Sequence, residues 1–360
     1  MKYIKLFFAF AALLFSQMAS AQEDGFLWSV DNVTVFDNRE GSQAHAPQGT
    51  IFFNRFSPEI GVRFLKNHEL KGGTSYIQPI GIGYKKTKFV PTFYYTYTQP
   101  EKREWSVSVG MIPRHKLHEP APKILWSDSM TYFNPNVRGV LLQCVKDSFF
   151  AEIVLDWRSL QSDVQREAFN LNANIEGRAG RRFLVGGHAQ LNHLAKQDPA
   201  PAGQGVNDDM FLNPYIGWNL KDGTALDSFK VKVGGSFMFD RCRAIGEWDN
   251  AFGLLVDAIA QYKKIGIKET LYVGQASLPL IDMYGSLLNM GDPHYHSKVY
   301  SYTSVYSPIV ENQFVNFAAA LDFNITAEGV SSYQKILLRV YIDRDGWKQR
   351  DANKKILNVY

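Results

Sequence analysis

The chain has 360 residues, 21% of them charged, and a formal net charge of +4. So balanced a charge argues against nucleic acid as the main partner, because phosphate binding needs a clustered excess of Lys and Arg. Two widely separated cysteines, Cys144 and Cys242, exclude a disulfide framework, leaving a single bridge as the most they could form.

The N-terminus carries the three parts of a secretory signal. Lys2 and Lys5 supply the positive region, Leu6 to Phe15 an unbroken apolar run, and Ala19-Ser20-Ala21 the small residues for cleavage. The apolar run is shorter than the roughly 20 residues of a bilayer-spanning helix. Gln22 rather than cysteine follows the expected cleavage after Ala21, which argues against a lipid anchor. Removing residues 1–21 takes away two lysines and leaves 339 residues with a formal charge of +2. No later segment has the long charge-free run of a transmembrane helix.

Beyond residue 50 the dominant pattern is alternation. Phe229, Val231, Val233, Phe237 and Phe239 interleave with Lys230, Lys232, Ser236, Met238 and Asp240. A strand sends successive side chains to opposite faces, so one face is apolar and the other polar. The same division recurs at Phe169 to Glu176, Val315 to Asn324 and Lys335 to Asp343. Taken in chain order, the pattern predicts about sixteen strands, within a range of roughly 14–18. Their spans are 27–36, 50–65, 69–79, 88–99, 104–112, 134–145, 148–158, 166–177, 181–194, 209–220, 228–240, 251–263, 267–278, 297–307, 313–324 and 334–343. The aromatic fraction of 14% suits strands and, for Tyr and Trp, membrane interfaces. Phe93, Tyr95, Tyr97, Trp105, Trp157, Tyr262, Tyr300, Tyr302 and Tyr306 are candidates for an interfacial girdle.

Short turns such as Lys66-Asn67-His68 and Lys146-Asp147 alternate with longer connections near 37–49, 80–87, 113–133, 159–165, 195–208, 241–250, 279–296 and 325–333. Outer-membrane barrels have this asymmetry, with short periplasmic turns and long outer loops. An even strand count then returns both ends to the periplasm. A soluble β-sandwich would also alternate. The extent of the alternation and the charges of both signs on the polar faces favour an all-β, antiparallel up-and-down transmembrane barrel over residues 22–343. Residues 344–360 form a basic extension in which Ile356 to Tyr360 could add a further strand.

With apolar faces toward lipid, Arg55, Glu59, Arg63, Glu152, Asp156, Arg158, Lys230, Lys232, Asp240, Asp257, Lys335, Arg339 and Asp343 become the expected pore-lining residues. The alternative is a filled barrel in which these charges pair with one another. The 113–133 connection is rich in proline and aromatics, and its expected place is folded into the barrel as a constriction, with an outer lid or a partner contact as the alternatives. The 279–296 connection has room for one short helix around Met283 to Met290. His115 with His118, and His294 with His296, have metal-ligand spacing but no evident carboxylate or thiol to complete a set, so no metal ligand is assigned. No Gly-x-Ser-x-Gly elbow, HExxH or phosphate-cradling glycine motif appears.

Phe36-Asp37-Asn38-Arg39-Glu40, Phe56-Ser57-Pro58-Glu59-Ile60-Gly61 and Gly291-Asp292-Pro293 resemble segments of uncharacterised porin-like outer-membrane barrels of Bacteroidota. The resemblance implies the barrel and its compartment and no particular substrate. The expected function is a non-enzymatic, cofactor-free channel for small hydrophilic solutes, embedded among outer-membrane lipids. Oligomeric state stays open, with a homo-oligomer admitted by analogy. The other readings are a structural or interaction barrel and a rim-active hydrolase testable at His115 and His294.

Overall fold

The computed structural model describes residues 25–43, 46–81, 86–276 and 284–348. The expected signal peptide, residues 277–283 at the start of the β13–β14 connection and residues 349–360 lie outside the described residues. Sixteen strands form one antiparallel sheet. On the first half of the wall these are β1 (Gly25–Glu40), β2 (Gly49–Phe64), β3 (His68–Pro79), β4 (Lys88–Thr98), β5 (Trp105–Pro113), β6 (Asn136–Lys146), β7 (Phe149–Ser159) and β8 (Ala168–Ala179). The second half comprises β9 (Phe183–Leu194), β10 (Asn207–Asn219), β11 (Ser228–Cys242), β12 (Trp248–Tyr262), β13 (Ile265–Gly274), β14 (Val299–Glu311), β15 (Val315–Thr326) and β16 (Gly329–Asp343). Each strand pairs with its sequence neighbours, and β1 pairs with β16 to close the barrel. The closing ladder runs from Ser29 opposite Asp343 to Glu40 opposite Ser332.

The two faces separate as the alternation requires. Phe89, Phe93, Trp105, Ile153, Leu212, Ile216, Leu254 and Ile336 are exposed on the outside. Between them, Asp31, Asp156, Asn192, Asp209, Ser236, Asp322 and Lys335 are buried on the inside. In water this would be an inverted protein. In a bilayer the apolar face meets hydrocarbon while closure satisfies every ladder hydrogen bond.

Two expectations about the wall need correction. Tyr300 and Tyr302 are not girdle residues: they are almost fully buried, and Tyr306 shares their inner face and hydrogen-bonds Gln261. Parity decides this, because the outward positions of β14 are Val299, Ser301, Thr303 and Val305. The predicted long connection at 325–333 is a tight hairpin, with Thr326 paired to Gly329. Its glycine and polar residues read as a loop, but they extend β16 to meet the upper end of β1. The short helix expected around Met283 to Met290 begins outside the described residues; within them this connection has a 3-10 turn over Gly285–Leu287 and another over Pro293–His296.

The core is not the sheet alone. The connection after β5 folds into the barrel and carries a short helix, Asp128–Phe133, capped by the Ser127 hydroxyl. Ile124, Leu125, Trp126 and Met130 from it cluster with Phe211, Met238, Leu255, Tyr272, Tyr300 and Tyr302 of the far wall and with Met290 and Tyr295 of the β13–β14 connection. Tyr132 packs in the opposite direction against Val33, Val35, Phe53, Ile77 and Leu337.

The outer face gives a stability test. Leu212→Arg, on the lipid-facing side near the middle of β10, should lower folding stability by about 2–4 kcal/mol. Phe183→Arg, at the short-turn rim, should cost only about 0–1 kcal/mol. Urea titrations in lipid vesicles measure both, and equal costs would contradict the assignment of the lipid-facing wall.

Candidate functional site

Two infolded connections meet inside the barrel. Ser127 N donates to the Met290 carbonyl at 2.7 Å, and Asp292 N donates to the Lys123 carbonyl at 2.8 Å. Gly291 lies between these two bonds, and a Cβ there would overlap the Ile124 carbonyl oxygen, so a glycine is needed for the backbones to approach. The preferred reading of the 113–133 connection, a segment folded into the barrel, agrees with this placement.

All thirteen residues expected to line a pore lie on the inner face of their strands or at its lower end. Most are held by partners. Lys335 bonds Asp128 of the infolded helix and Asp322 of β15, both at 2.6 Å. Arg55 donates to the carbonyls of Thr131 and Tyr132 at the end of the same helix. Asp156 accepts from Arg114 at 2.6 Å, and Glu152 accepts from His118 N at 2.8 Å and from Gln143 at 2.6 Å. Arg158 donates to the Leu288 carbonyl. Wall residues pair with one another as well: Arg339 with Asp31, Lys232 with Glu176, Asp257 with Thr270 and Glu59 with Ser29 and Tyr94. Lys230 follows Lys232 toward the lower rim, Arg63 pairs with Glu69 and Asp345, and Asp343 accepts from Gly346 N. Asp240 stands opposite Asp209. Cavities of about 350 Å³ and 680 Å³ remain on either side of the helix Asp128–Phe133. The first is lined by Asp31, Arg55, His115, Lys123, Asp257 and Arg339.

The histidines singled out by spacing are inside too. His115 lies 3.6 Å from Asp31, whereas the His118 ring lies tilted against Phe150, so the two do not converge. His294 bonds Asp292 at 2.6 Å and stacks on Tyr300, with a side chain only 1% exposed. Neither His115 nor His294 is a rim residue, which removes the basis for testing a rim hydrolase there. Among the described residues no group of three or more His, Cys, Asp or Glu is placed to hold a metal ion.

The long-loop rim carries a different arrangement on its outer face. His193, next to last in β9, lies between Phe169 of β8 and Asp208 of β10 in the cross-strand register. Its Nδ1 is 2.8 Å from Asp208 Oδ1. Arg243 holds the same carboxylate with two bonds, Nε to Oδ2 at 2.7 Å and Nη2 to Oδ1 at 3.1 Å. Phe169 stacks on His193 and Trp157 stacks on Phe169, extending an aromatic row along the wall. Beside Asp208 in β11, Arg241 lies over the Trp248 ring. With Nδ1 protonated and held by Asp208, Nε2 is left as a base facing outward at the membrane edge. Sequence reasoning passed over this set. The available signal was parity: His193 continues the outward series Phe183, Val185, Ala189 and Leu191, where a histidine has no business in lipid unless it is used.

Comparison with known proteins adds two findings. A family model described as Lipid A 3'-O-deacylase-type matches residues 18–342. Solved structures with a similar fold include an anion-selective porin from Comamonas acidovorans, at 9% identity and TM-score 0.51 over 89% of this chain and 99% of that one. Another is the outer membrane protein OprD from Pseudomonas aeruginosa, at 9% identity and TM-score 0.51 over 88% of this chain and 94% of that one. At such identity the likeness concerns the fold alone. No curated protein sequence matches. Together these support a porin-like outer-membrane barrel, and not the narrower likeness to barrels of Bacteroidota. They overturn the expectation of a non-enzymatic protein, since the matching family is named for an enzyme.

Two outcomes test the inner arrangement. Lys335→Met leaves Asp128 and Asp322 without their shared buried cation and should cost about 3–5 kcal/mol in a urea unfolding titration. Deleting residues 115–130 removes the infolded segment and should raise single-channel conductance in planar bilayers. Unchanged conductance would show that the segment obstructs nothing.

Proposed function

The chain belongs to the Lipid A 3'-O-deacylase-type family, and from that premise we propose that it hydrolyses an acyl ester of a lipid-A-type glycolipid at the outer leaflet. The observation that carries the reading is the His193–Asp208–Arg243 set on the lipid-facing wall at the long-loop rim. An ester embedded in the leaflet can reach this position without entering the barrel. The accompanying topology is export with cleavage after Ala21 and the long-loop rim facing outward.

The chemistry follows from the hydrogen bonds. Asp208 fixes the imidazole by accepting from Nδ1–H and stabilises the charge that forms when Nε2 takes a proton. Nε2 removes that proton from a water molecule as its oxygen bonds to the ester carbonyl carbon. Collapse of the tetrahedral intermediate breaks the bond to the sugar oxygen, which receives the proton from Nε2. The products are a fatty acid and a free sugar hydroxyl. Arg243 keeps Asp208 ionised and oriented. The Trp157–Phe169 row offers an apolar track for the acyl chain beside the base.

A second reading is passage of small hydrophilic solutes through the lumen. It rests on the thirteen inner-face residues and on the cavities beside the infolded helix.

The two readings separate cleanly. His193→Ala and Asp208→Asn should each reduce acyl release about 10²–10⁴-fold, the range for loss of a positioned general base. Mass spectrometry of lipid A extracted from vesicles holding the refolded protein gives the readout. Conductance of both variants should match the unaltered protein, because neither side chain faces the lumen. Full deacylation by His193→Ala would remove the dyad from the mechanism.

A further inference from the structure

The dyad is the middle of a longer row. Cross-strand register sets six residues side by side at the long-loop rim: Trp157 of β7, Phe169 of β8, His193 of β9, Asp208 of β10, Arg241 of β11 and Trp248 of β12. The exposed Trp157 and Trp248 mark both ends of the row as facing outward. Adjacent strands lie about 4.8 Å apart, so Arg241 stands roughly 10 Å from His193, on the side away from Phe169. His193 therefore has an aromatic track on one hand and a cation on the other.

The guanidinium of Arg241 is not spent within the protein. It makes no hydrogen bond or ion pair among the described residues, and its Nε is buried without a hydrogen-bond partner. Its ring neighbour is Trp248, with the guanidinium carbon 5.3 Å from the centroid. Asp208, across the ladder, is held by Arg243 and His193 instead. Asp240, with Asp249 opposite it, belongs to the lumen face of the same strands. With Asp208 matched by Arg243, the row keeps the positive charge of Arg241. An unpaired guanidinium at the edge of hydrocarbon is costly unless an anion meets it. Its planar fork matches a phosphate bidentately. The cation–π contact with Trp248 steadies the group through its charge and leaves N–H donors for a ligand.

We propose that Arg241, steadied by Trp248, binds a phosphate ester on the sugar that presents its acyl ester to His193. The inference rests on the deacylase reading and adds to it the class of substrate, a phosphorylated glycolipid. Such a lipid lies across the strands, with its acyl chain on the Trp157–Phe169 row, its ester carbonyl at His193 and its phosphate at Arg241. A span of roughly 10 Å between base and cation is one that a single phosphorylated sugar and its substituents cover. Arg243 is a poor anchor for the same phosphate, because two of its nitrogens are committed to Asp208. Arg241 sets position and specificity and takes no part in the proton transfers.

The test uses the full mature protein refolded in detergent, with lipid A and enzymatically dephosphorylated lipid A as probes. In His193→Ala, which should leave the lipid intact, native mass spectrometry should show one tightly held lipid A per chain. Dephosphorylation should weaken that binding about 10–100-fold, the loss of a charge-assisted hydrogen bond. Adding Arg241→Gln should weaken binding of lipid A by a similar factor and leave binding of the dephosphorylated lipid unchanged. Arg241→Lys should restore part of the loss. In vesicles, Arg241→Gln with His193 present should raise the apparent KM for lipid A and leave kcat unchanged, as removal of a binding contact does. Equal binding of the two lipids would overturn the site, and that comparison needs no change at Arg241. Binding untouched by Arg241→Gln would overturn it equally. Phosphatidic acid held as tightly as lipid A would overturn it too, by showing a contact for any headgroup phosphate of the leaflet. Absence of acyl release from the unaltered protein would remove the deacylase reading alone, since the binding comparison does not depend on turnover.

Discussion

Closure of the β1–β16 ladder is the constraint on which everything else rests. In hydrocarbon an unpaired backbone N–H or C=O costs several kcal/mol, and a sheet avoids that cost only by having no edge. The ladder from Ser29 to Glu40 supplies the last set of partners. Once the sheet is closed, each strand has one face in lipid and one in the lumen, and a single residue of offset decides between them. The inner polar network and the outer dyad are two results of that one alternation.

Much of the fold was legible because the alternation is strict and long. All sixteen strands fall where the pattern predicts, within a few residues at each end. The tyrosines of β14 were misread because aromatic type was given more weight than parity. Tyr300 and Tyr302 share the face of Ser304, and their hydroxyls donate to Asn324 and Asp322 inside the barrel. The tight β15–β16 hairpin was hidden by residues that suit a loop equally well, and only its pairing with β1 distinguishes the two. The infolding of residues 114–135 could be anticipated from their apolar content. Their attachment to the β13–β14 connection could not, because the two segments are distant in sequence.

The site was less legible than the fold. His193, Asp208 and Arg243 belong to β9, β10 and the turn after β11, so no local motif unites them. Cross-strand register brings His193 beside Asp208, and the Arg243 backbone, bonded to the Val206 carbonyl at 2.8 Å, returns its side chain to the same carboxylate. The histidine pairs chosen by spacing were attractive because neighbours in sequence are easy to see. In a barrel, residues meet across strands, and two positions apart along one strand only share a face.

The bridge between the infolded connections also has a mechanical meaning. One end of the β5–β6 segment bears through Tyr132 on β1, β2, β3 and β16, and the other bears through Trp126 on the arc from β10 to β14. The β13–β14 segment is bolted to it at Gly291 by two backbone bonds. Together they act as a strut across the barrel, resisting the flattening that lateral pressure in a membrane imposes on a hollow cylinder. Force applied to one arc is carried to the other through the strut, so the rim that bears His193 is stiffened from within, where Leu288 packs on Ala168 and Leu194 and Asn289 bonds Asp209.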